Sequence, residues 1–260
     1  MCRLAAYTGE LLSLEQFLLW PRHSLIHQAH APQETLSATV NADGIGFGWY
    51  ADDKQPAVYR SLLPAWADPN LGSLGRSLQS RTWLANVRSA TDPLSSGYAN
   101  TQPFSGHGIL FLHNGFIEDF NNSVRGPLRS TLSPGFESTV HGTTDSEYLF
   151  ALLRQTIYQH EGDVLSALRV TLERLEGWLQ KKGLGALLNI ILAEGQRITV
   201  LRHAIGLECP SLYTHRGHSA FAGGRLAASE PLDDDPDWEP VPTHHVAVME
   251  PDDVVRIFRL

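Results

Sequence analysis

The middle of the chain carries two adjacent helical patterns, with strand-like patterns on both sides of them. The first pattern, TTDSEYLFALLRQTIYQH, begins with Thr144 and Glu147 at the spacing of a capping box. Its apolar face would consist of Leu149, Leu152, Leu153 and Ile157. Since an apolar face must be covered by another layer of structure, we expect this helix to pack on a sheet.

The second pattern, DVLSALRVTLERLEGWLQKKG, has consistent signals at both ends, with Asp163 before it and Gly183 after it. Its apolar stripe is formed by five leucines: Leu165, Leu168, Leu172, Leu175 and Leu179. The order of strands, two long helices and further strands predicts an α+β layered fold, with both helices on one face of a sheet. No linker-like segment divides the chain, so we predict a single domain over residues 1–260, mature from Cys2.

Strand patterns fill most of the remaining chain. Before the long helices, the segments CRLAAYT, GIGFGWYA, TWLANVRSA and GILFLHNGFI are strand-like, and short helices are predicted in LSLEQFLLW and PNLGSLGRSLQS. The segment GILFLHNGFI is predicted to leave its strand at a turn formed by Asn114 and Gly115. After the long helices, ALLNIILA and RITVLRHA flank Glu194, Gly195 and Gln196, which predicts a hairpin.

The composition argues against several classes of protein. The net charge is −8 at pH 7 and no dense cluster of Lys and Arg is present, which disfavours nucleic-acid binding. No apolar run approaches the ~20 residues that a membrane span needs, and the start lacks the pattern of a signal peptide. The two cysteines make no disulfide framework. We therefore expect a cytoplasmic protein without a membrane segment.

Cys2 stands directly after the initiator methionine, so removal of Met1 would make it the N-terminal residue. A free α-amine has a pKa of about 7.7–8.0 in model peptides and can act as a base near pH 7. A cysteine thiolate is a strong nucleophile, so one residue would supply both nucleophile and base. The alternative is a buried, unreactive cysteine at the start of a strand. The second cysteine, Cys209 in LECPS, is interpreted as structural.

Acyl transfer from an amide also needs an oxyanion hole and a clamp for the substrate. Asn114 and Gly115 offer a side-chain amide and a backbone N–H, although Asn-Gly is also a common turn. Arg88 at the end of a strand could hold a carboxylate, or form a surface ion pair. Asp145 in the first turn of a helix could hold an ammonium group, or only favour the helix dipole.

Taken together, Cys2 and the motifs NADGIGFGWY, NVRSAT, HNG and GTTDSE resemble the class II glutamine amidotransferases over most of the chain. The resemblance implies the four-layer αββα sandwich of the N-terminal-nucleophile hydrolases. It implies Cys2 as nucleophile, with its own α-amine as base, and no cofactor. By the same resemblance, the remaining site residues are Asn114 and Gly115 for the oxyanion hole, Arg88 and Thr91 for the α-carboxylate, and Asp145 for the α-ammonium group.

Within this family the chain is most similar to the stand-alone γ-glutamyl hydrolases of the ergothioneine pathway, since no synthase domain follows the amidotransferase-like region. The resemblance therefore implies hydrolysis of a γ-glutamyl amide in a small molecule, with release of glutamate. A glutaminase subunit that supplies ammonia to a separate synthase is an alternative. A non-catalytic binding module is another. A homodimer and an ammonia-accepting partner enzyme both stay open.

Two departures from the family pattern concern the region around the substrate. The segment NTQPF has Gln102 where many relatives have a histidine, and HSLIHQAHAP carries His23, His27 and His30. We interpret these three as loop and surface residues, although a metal site is conceivable from their spacing, and we predict no metal. Four aromatic residues could line a pocket for a trimethylammonium group, but core packing is favoured for each: Trp49, Tyr50, Trp66 and Trp83.

Overall fold

The strands of the protein form two antiparallel sheets. The computed structural model describes residues 2–34, 40–90, 97–251 and 255–260. The strands in these ranges are β1 (Arg3–Ser13), β2 (Ile45–Tyr50), β3 (Pro56–Ser61), β4 (Gln79–Val87), β5 (Phe104–Gly106), β6 (Ile109–Ile117), β7 (Ala186–Glu194), β8 (Arg197–Arg202), β9 (Ala204–Ile205), β10 (Tyr213–His218), β11 (Gly224–Ala228), β12 (Glu239–Pro240), β13 (His245–Met249) and β14 (Arg256–Arg259). The first sheet has the order β12-β10-β11-β1-β4-β2-β3. The second has the order β14-β13-β8-β7-β6-β5, and β9 pairs with β7.

The helices lie on the outer faces of these sheets. They are α1 (Leu14–Leu18), α2 (Leu25–Gln28), α3 (Leu71–Ser77), α4 (Arg125–Thr131), α5 (Pro134–Glu137), α6 (Asp145–Gln159) and α7 (Val164–Gln180). Apolar residues of α1, α2 and α3 form one core with the first sheet, and those of α4, α6 and α7 form another with the second sheet. A third core, which includes Leu4, Leu84, Leu112 and Ile191, lies between the sheets. The predicted α+β, four-layer αββα sandwich is confirmed.

The two long helices follow the apolar patterns read from the sequence. In α6 the four predicted face residues are all buried, and in α7 four of the five leucines are buried while Leu165 is partly exposed. Both helices cover the same face of the second sheet, as predicted. The hairpin is also confirmed, because Glu194 pairs with Arg197 across a two-residue turn.

The capping of α6 differs from the capping-box prediction in one bond. The Thr144 hydroxyl accepts the backbone N–H of Glu147, as expected for an N-cap. The Glu147 carboxylate, however, accepts the backbone N–H groups of His141 and Gly142 instead of the N–H of Thr144. The glutamate therefore fixes the loop that leads into α6, and not only the helix end.

The predicted turn at Asn114 and Gly115 is wrong, because β6 continues through both residues to Ile117. Asn114 pairs with Asn189 and Gly115 with Leu188 on the neighbouring strand β7. Gly115 has a φ of +155°, and a Cβ at this position would overlap the carbonyl oxygen of Leu187. The glycine therefore meets a requirement of close backbone approach within a strand, not of a hairpin.

The apolar stripe of α7 predicts how a core truncation affects stability. Leu175 is fully buried, so Leu175→Ala is expected to lower the free energy of unfolding by about 2–5 kcal/mol. Glu173→Ala on the exposed face of the same helix is the matched control and should change it by less than about 0.5 kcal/mol. Urea unfolding followed by circular dichroism measures both, and equal effects of the two changes would contradict this packing.

Candidate active site

A cavity of about 380 Å³ brings together most of the residues singled out from the sequence. Cys2, Arg88, Gly115 and Asp145 all line it. Cys2 lies at the start of β1, Arg88 follows β4, Gly115 belongs to β6 and Asp145 begins α6. The cavity is thus built from both sheets and from the first turn of a helix. Of the other predicted site residues, Asn114 lies next to it in β6, and Thr91 lies outside the described residues.

Cys2 is held at its side chain by the segment after β4. Its Sγ accepts the backbone N–H of Ser89 at 3.4 Å and lies 3.6 Å from the Ser89 carbonyl oxygen, to which the S–H can donate. Side chains alternate along a strand, so Cys2 faces the same way as Leu4 and Ala6, toward the layer between the sheets.

Asn114 faces the same layer. Leu110 and Leu112, the two alternate residues before it in β6, belong to the core between the sheets. Its side chain is fully buried, and among the described residues neither its Nδ2 nor its Oδ1 has a hydrogen-bond partner. Buried amides are usually paired, so this one is a donor available to a group in the site. The backbone of Gly115, the next residue, reaches the cavity itself.

Arg88 is 5% exposed and enters the cavity directly after the central strand β4. Its backbone N–H donates to the Gly44 carbonyl at 2.9 Å, and its own carbonyl accepts the N–H of Asp43 at 3.0 Å. The main chain of Arg88 is therefore anchored to the loop before β2. This anchoring orients a guanidinium that can bind a carboxylate through two parallel hydrogen bonds.

Asp145 connects the start of α6 to the end of β6. One carboxylate oxygen accepts the backbone N–H of Ile117 at 2.8 Å, and the other accepts the N–H of Ser146 at 2.7 Å. Each oxygen can accept more than one hydrogen bond, so the carboxylate keeps capacity for a ligand in the cavity. Two backbone donors on different elements fix the direction of this side chain.

His113 lies one hydroxyl group away from this carboxylate, and the sequence analysis did not single it out. Its Nε2 lies 2.9 Å from the Leu187 carbonyl, which can only accept, so Nε2 carries the ring proton. Its Nδ1 then accepts from the Ser146 hydroxyl at 2.8 Å, and that hydroxyl also lies 3.2 Å from Asp145. Burial lowers the pKa of His113, which keeps the ring neutral despite the nearby Asp145 charge. In the sequence, the position of His113 in the HNG motif was the signal that could have marked it as a site residue.

A buried ion pair holds the backbone at Cys2. Arg3 is fully buried, donates from Nε to the Cys2 carbonyl at 2.9 Å, and pairs through Nη1 with Glu230 at 2.8 Å. Glu230 also accepts the backbone N–H groups of Gln33 and Glu34. Residue 2 is therefore fixed by a side-chain network from the C-terminal half of the chain. The sequence offered no signal that Arg3 and Glu230 would meet.

The interpretation of all three histidines in HSLIHQAHAP as surface residues is wrong for His23. Its side chain is buried and its Nε2 lies 2.7 Å from Glu230. His23 Nδ1 lies 3.1 Å from Nδ1 of His27, and both His27 and His30 are exposed. The buried histidine serves the network that holds Arg3.

The four aromatic residues do not line the cavity around Cys2. Trp83 is fully buried, and Trp49 and Tyr50 pack against the cores, so core packing is confirmed for these three. For Trp66 the prediction is wrong, because this side chain is 47% exposed.

One group of described residues has metal-ligand types close together: His215, His218 and Asp235, whose ligand atoms lie within 4.8 Å of one another. Nδ1 of His215 accepts the N–H of Gly217, and Nδ1 of His218 accepts that of Ala220, both at 3.3 Å. Each ring therefore carries its proton on Nε2, the atom that faces the carboxylates. A metal ligand normally donates from its second nitrogen, so this pattern is that of structural histidine–carboxylate pairs.

Two stacked antiparallel sheets between helix layers, with a cysteine at the start of a central strand, define an N-terminal-nucleophile type of amide hydrolase. The chain belongs to the class II glutamine amidotransferases, because the family model described as "Glutamine amidotransferases class-II" matches residues 27–259. These residues include Arg88, Asn114 and Asp145 but not Cys2. The chain is thus an amidohydrolase of this family.

Curated relatives match almost the whole chain. A γ-glutamyl-hercynylcysteine sulfoxide hydrolase of Mycolicibacterium smegmatis is 33% identical and covers 95% of this chain and 94% of its own. A protein of the same name from Mycobacterium tuberculosis is 30% identical, over 95% and 91% of the two chains. A probable glutamine amidotransferase, DUG3, of Saccharomyces cerevisiae is 26% identical, over 96% and 82%.

Solved structures share the fold. A class II domain protein from Silicibacter pomeroyi has a TM-score of 0.75 at 24% identity, covering 100% of this chain and 99% of its own. The glutamine phosphoribosylpyrophosphate amidotransferase of Bacillus subtilis has a TM-score of 0.62 at 16% identity, over 100% and 49% of the two chains.

In the described part of this protein, no helix is both long and apolar enough to cross a membrane.

The network around Glu230 predicts a pH-dependent stability. Burial alone would raise the pKa of Glu230, but hydrogen bonds from His23, Gln33 and Glu34 and the charge of Arg3 outweigh it and lower the pKa to about 2. Since the ordinary value is 4.5, the ionised form stabilises the fold above pH 4.5, and this contribution is lost as the pH falls toward 2. Its size is on the order of 3 kcal/mol.

Urea unfolding of the wild type and of Glu230→Gln between pH 7 and pH 3 measures this contribution. The variant should be less stable at pH 7, and the difference should narrow below pH 4.5. Glu10→Gln removes an exposed glutamate paired with Arg81 and is the control, with little effect at any pH. If the wild type exceeds Glu230→Gln in free energy of unfolding by the same amount at every pH, ionisation of Glu230 is not the source of the stabilisation.

Proposed function

We propose that this protein hydrolyses the γ-glutamyl amide bond of γ-glutamyl-hercynylcysteine sulfoxide and releases glutamate, with Cys2 as the nucleophile. The observation that carries the proposal is that a cysteine, a guanidinium and a carboxylate line one cavity: Cys2, Arg88 and Asp145. The names of the relatives at 33% and 30% identity support the substrate. The free thiol favours a cytoplasmic location, because cysteines stay reduced there.

Recognition of the glutamyl group follows from charge. The Arg88 guanidinium binds the α-carboxylate of the substrate through two hydrogen bonds, and Asp145 accepts from the α-ammonium group. Thr91 is predicted to assist at the carboxylate. The guanidinium and the carboxylate line the same cavity as Cys2 and orient the substrate so that its γ-carbonyl points toward the Cys2 sulfur. A neutral or reversed head group would lose these charge-assisted hydrogen bonds.

In the first half of the reaction the sulfur of Cys2 attacks the γ-carbonyl carbon. The free α-amine of residue 2, exposed by removal of Met1, takes the thiol proton. The negative charge moves to the carbonyl oxygen, where the Asn114 side-chain amide and the Gly115 N–H donate to it. The C–N bond then breaks as the α-ammonium returns its proton to the leaving amine, and a glutamyl thioester remains on Cys2.

In the second half, a water molecule attacks the thioester carbonyl while the α-amine accepts a proton from that water. The same oxyanion donors stabilise the second tetrahedral intermediate. Its collapse breaks the C–S bond, returns the proton to sulfur and releases glutamate. The two halves use one set of groups, so no cofactor is required.

Hydrolysis of glutamine to supply ammonia to a separate synthase is the second candidate function. The name of the yeast relative, a probable glutamine amidotransferase, favours it. Under this alternative the glutamyl clamp is the same, but a partner enzyme accepts the ammonia. A homodimer is compatible with either function, and the third alternative, a binding module without activity, predicts no turnover at all.

The first measurement is glutamate release from γ-glutamyl-hercynylcysteine sulfoxide and from glutamine, using protein whose N-terminal cysteine has been verified by mass. We expect a kcat/KM at least a hundredfold higher for the sulfoxide conjugate. Cys2→Ala should abolish turnover without unfolding the protein, while Cys209→Ala should retain it. A preference for glutamine, or stimulation by a synthase, would move the function to ammonia supply. Full activity of Cys2→Ala would refute the mechanism.

Asn114→Ala tests the oxyanion donor. Because no described residue bonds to the Asn114 amide, its removal leaves no protein group newly unpaired. We expect kcat to fall by roughly 10²–10³, with a much smaller change in KM, the usual effect of losing one such donor. Steady-state kinetics at matched thermal stability provides the comparison. A kcat within threefold of the wild-type value would remove Asn114 from the oxyanion hole.

A further inference from the structure

A second cavity, separate from the glutamyl site, is lined by two arginines for which the proposed reaction has no use. It has a volume of about 500 Å³ and lies where the sheet-edge strands β3 and β5 approach α6. Arg60 enters it from β3 and Arg154 from α6. The Arg154 side chain is only 5% exposed, while that of Arg60 is half-buried. A cavity with two such cations needs an explanation.

Each guanidinium stands against an aromatic ring at the floor of the cavity. The Cζ of Arg154 lies 4.5 Å from the ring centre of Phe150, and that of Arg60 lies 5.8 Å from the ring centre of Phe104. The two rings stack on each other with centres 6.3 Å apart. Cation–π attraction partly offsets the cost of burying each cation.

The hydrogen-bond partners of these arginines are uncharged. Arg60 donates from Nε and Nη2 to the Pro103 carbonyl. Arg154 donates to the Thr139 hydroxyl and to Nδ1 of His107, which must be unprotonated to accept. Across the described ranges, no carboxylate forms an ion pair with either guanidinium. The hydrogen-bond acceptors of both guanidinium groups among the described residues are therefore neutral.

Glu147 is the carboxylate that lines this cavity, but its oxygens are engaged elsewhere. They accept the backbone N–H groups of His141 and Gly142 at 2.9 and 2.6 Å. Burial lowers the pKa of both Arg60 and Arg154, and the more distant Glu147 charge offsets this only in part. In addition, the buried Nε of Arg154 has no partner among the described residues. The cavity is thus lined by two guanidinium groups and by one carboxylate whose oxygens already accept backbone hydrogen bonds. This leaves a net positive charge in the cavity, where Arg154 is buried.

We propose that this cavity binds a small anion, either a carboxylate or a phosphate-type oxyanion, between Arg60 and Arg154. Guanidinium groups match both anions by bidentate hydrogen bonding, and an anion would bring negative charge to a cavity lined by two guanidinium groups. Access is available at the rim, where Ser105, His107 and His141 are exposed. This site does not depend on the identity of the amide substrate.

The second cavity lies beside the cavity that contains Cys2. Neighbouring residues in the chain line the two cavities from opposite sides: Ala99 and Glu147 line this one, while Asn100 and Ser146 line the one with Cys2. Asn100 is bonded to Thr143 by two hydrogen bonds of 2.8 and 3.2 Å. The shared wall is thus one layer of chain thick. Arg60 and Arg154 do not line the cavity that contains Cys2, so an anion bound between them would lie outside the glutamyl site.

Titration of the processed protein with sodium phosphate and, separately, with sodium acetate tests the site. Sodium chloride keeps the ionic strength constant, and the thermal midpoint and calorimetric heats are recorded. A saturable response is expected for at least one of the two probes, and the probe that gives it identifies the anion class. Arg60→Gln and Arg154→Gln should each raise the Kd for that anion at least tenfold. Arg60→Lys should raise this Kd by less.

Two control variants separate this cavity from other cations. Arg216→Gln removes an exposed arginine paired with Glu239, and Arg88→Gln removes the arginine of the glutamyl cavity. Arg216→Gln should keep the wild-type response, and Arg88→Gln should keep the part of the response that Arg60→Gln removes. If Arg154→Gln does not fold, the titrations of Arg60→Gln and Arg60→Lys test the site, because Arg60 is only half-buried. The proposal is overturned if neither probe gives a saturable response, if the response survives in Arg60→Gln, or if it is lost only in Arg88→Gln.

Discussion

The buried ion pair between Arg3 and Glu230 is the interaction on which the active cavity depends. It joins the first residues of β1 to a loop more than two hundred positions later, and it holds the Cys2 carbonyl in place. A terminal residue normally frays, because one of its sides has no chain to restrain it. In the proposed mechanism the nucleophile is at this end of the chain, so its position must be fixed. A fully buried salt bridge therefore restrains this end of the chain, and two backbone N–H groups donate to its Glu230 carboxylate.

The two sheets contribute different parts of the site. The first sheet supplies Cys2 and Arg88 from adjacent strands, and the second supplies Asn114 and Gly115 from β6. Asp145 closes the cavity from the start of α6, where it bonds to the end of β6. Because each group sits on a regular element or directly beside one, packing of the two sheets sets the geometry. The core between the sheets is therefore a functional feature as well as a stabilising one.

The sequence predicted the long helices, the hairpin at Gly195 and the layered α+β fold correctly, because each rests on local periodicity and local turn chemistry. It failed at Asn114 and Gly115, where a common turn dipeptide lies inside a strand. Pairing with β7 overrides the local preference there, and the close approach of Leu187 explains the glycine. His23 was misread for the same reason, since its buried partner Glu230 lies far away in the chain.

The sequence by itself determined which chemical groups are present: a cysteine at position 2, an amide and a glycine in HNG, an arginine in NVRSAT and an acid at a helix start. These are local facts that a motif can carry. Only the tertiary structure decided that Cys2, Arg88, Gly115 and Asp145 share one cavity, and that Arg60 and Arg154 share another. Distances between residues far apart in the chain depend on strand order and sheet packing, which are set by long-range burial and not by any local pattern.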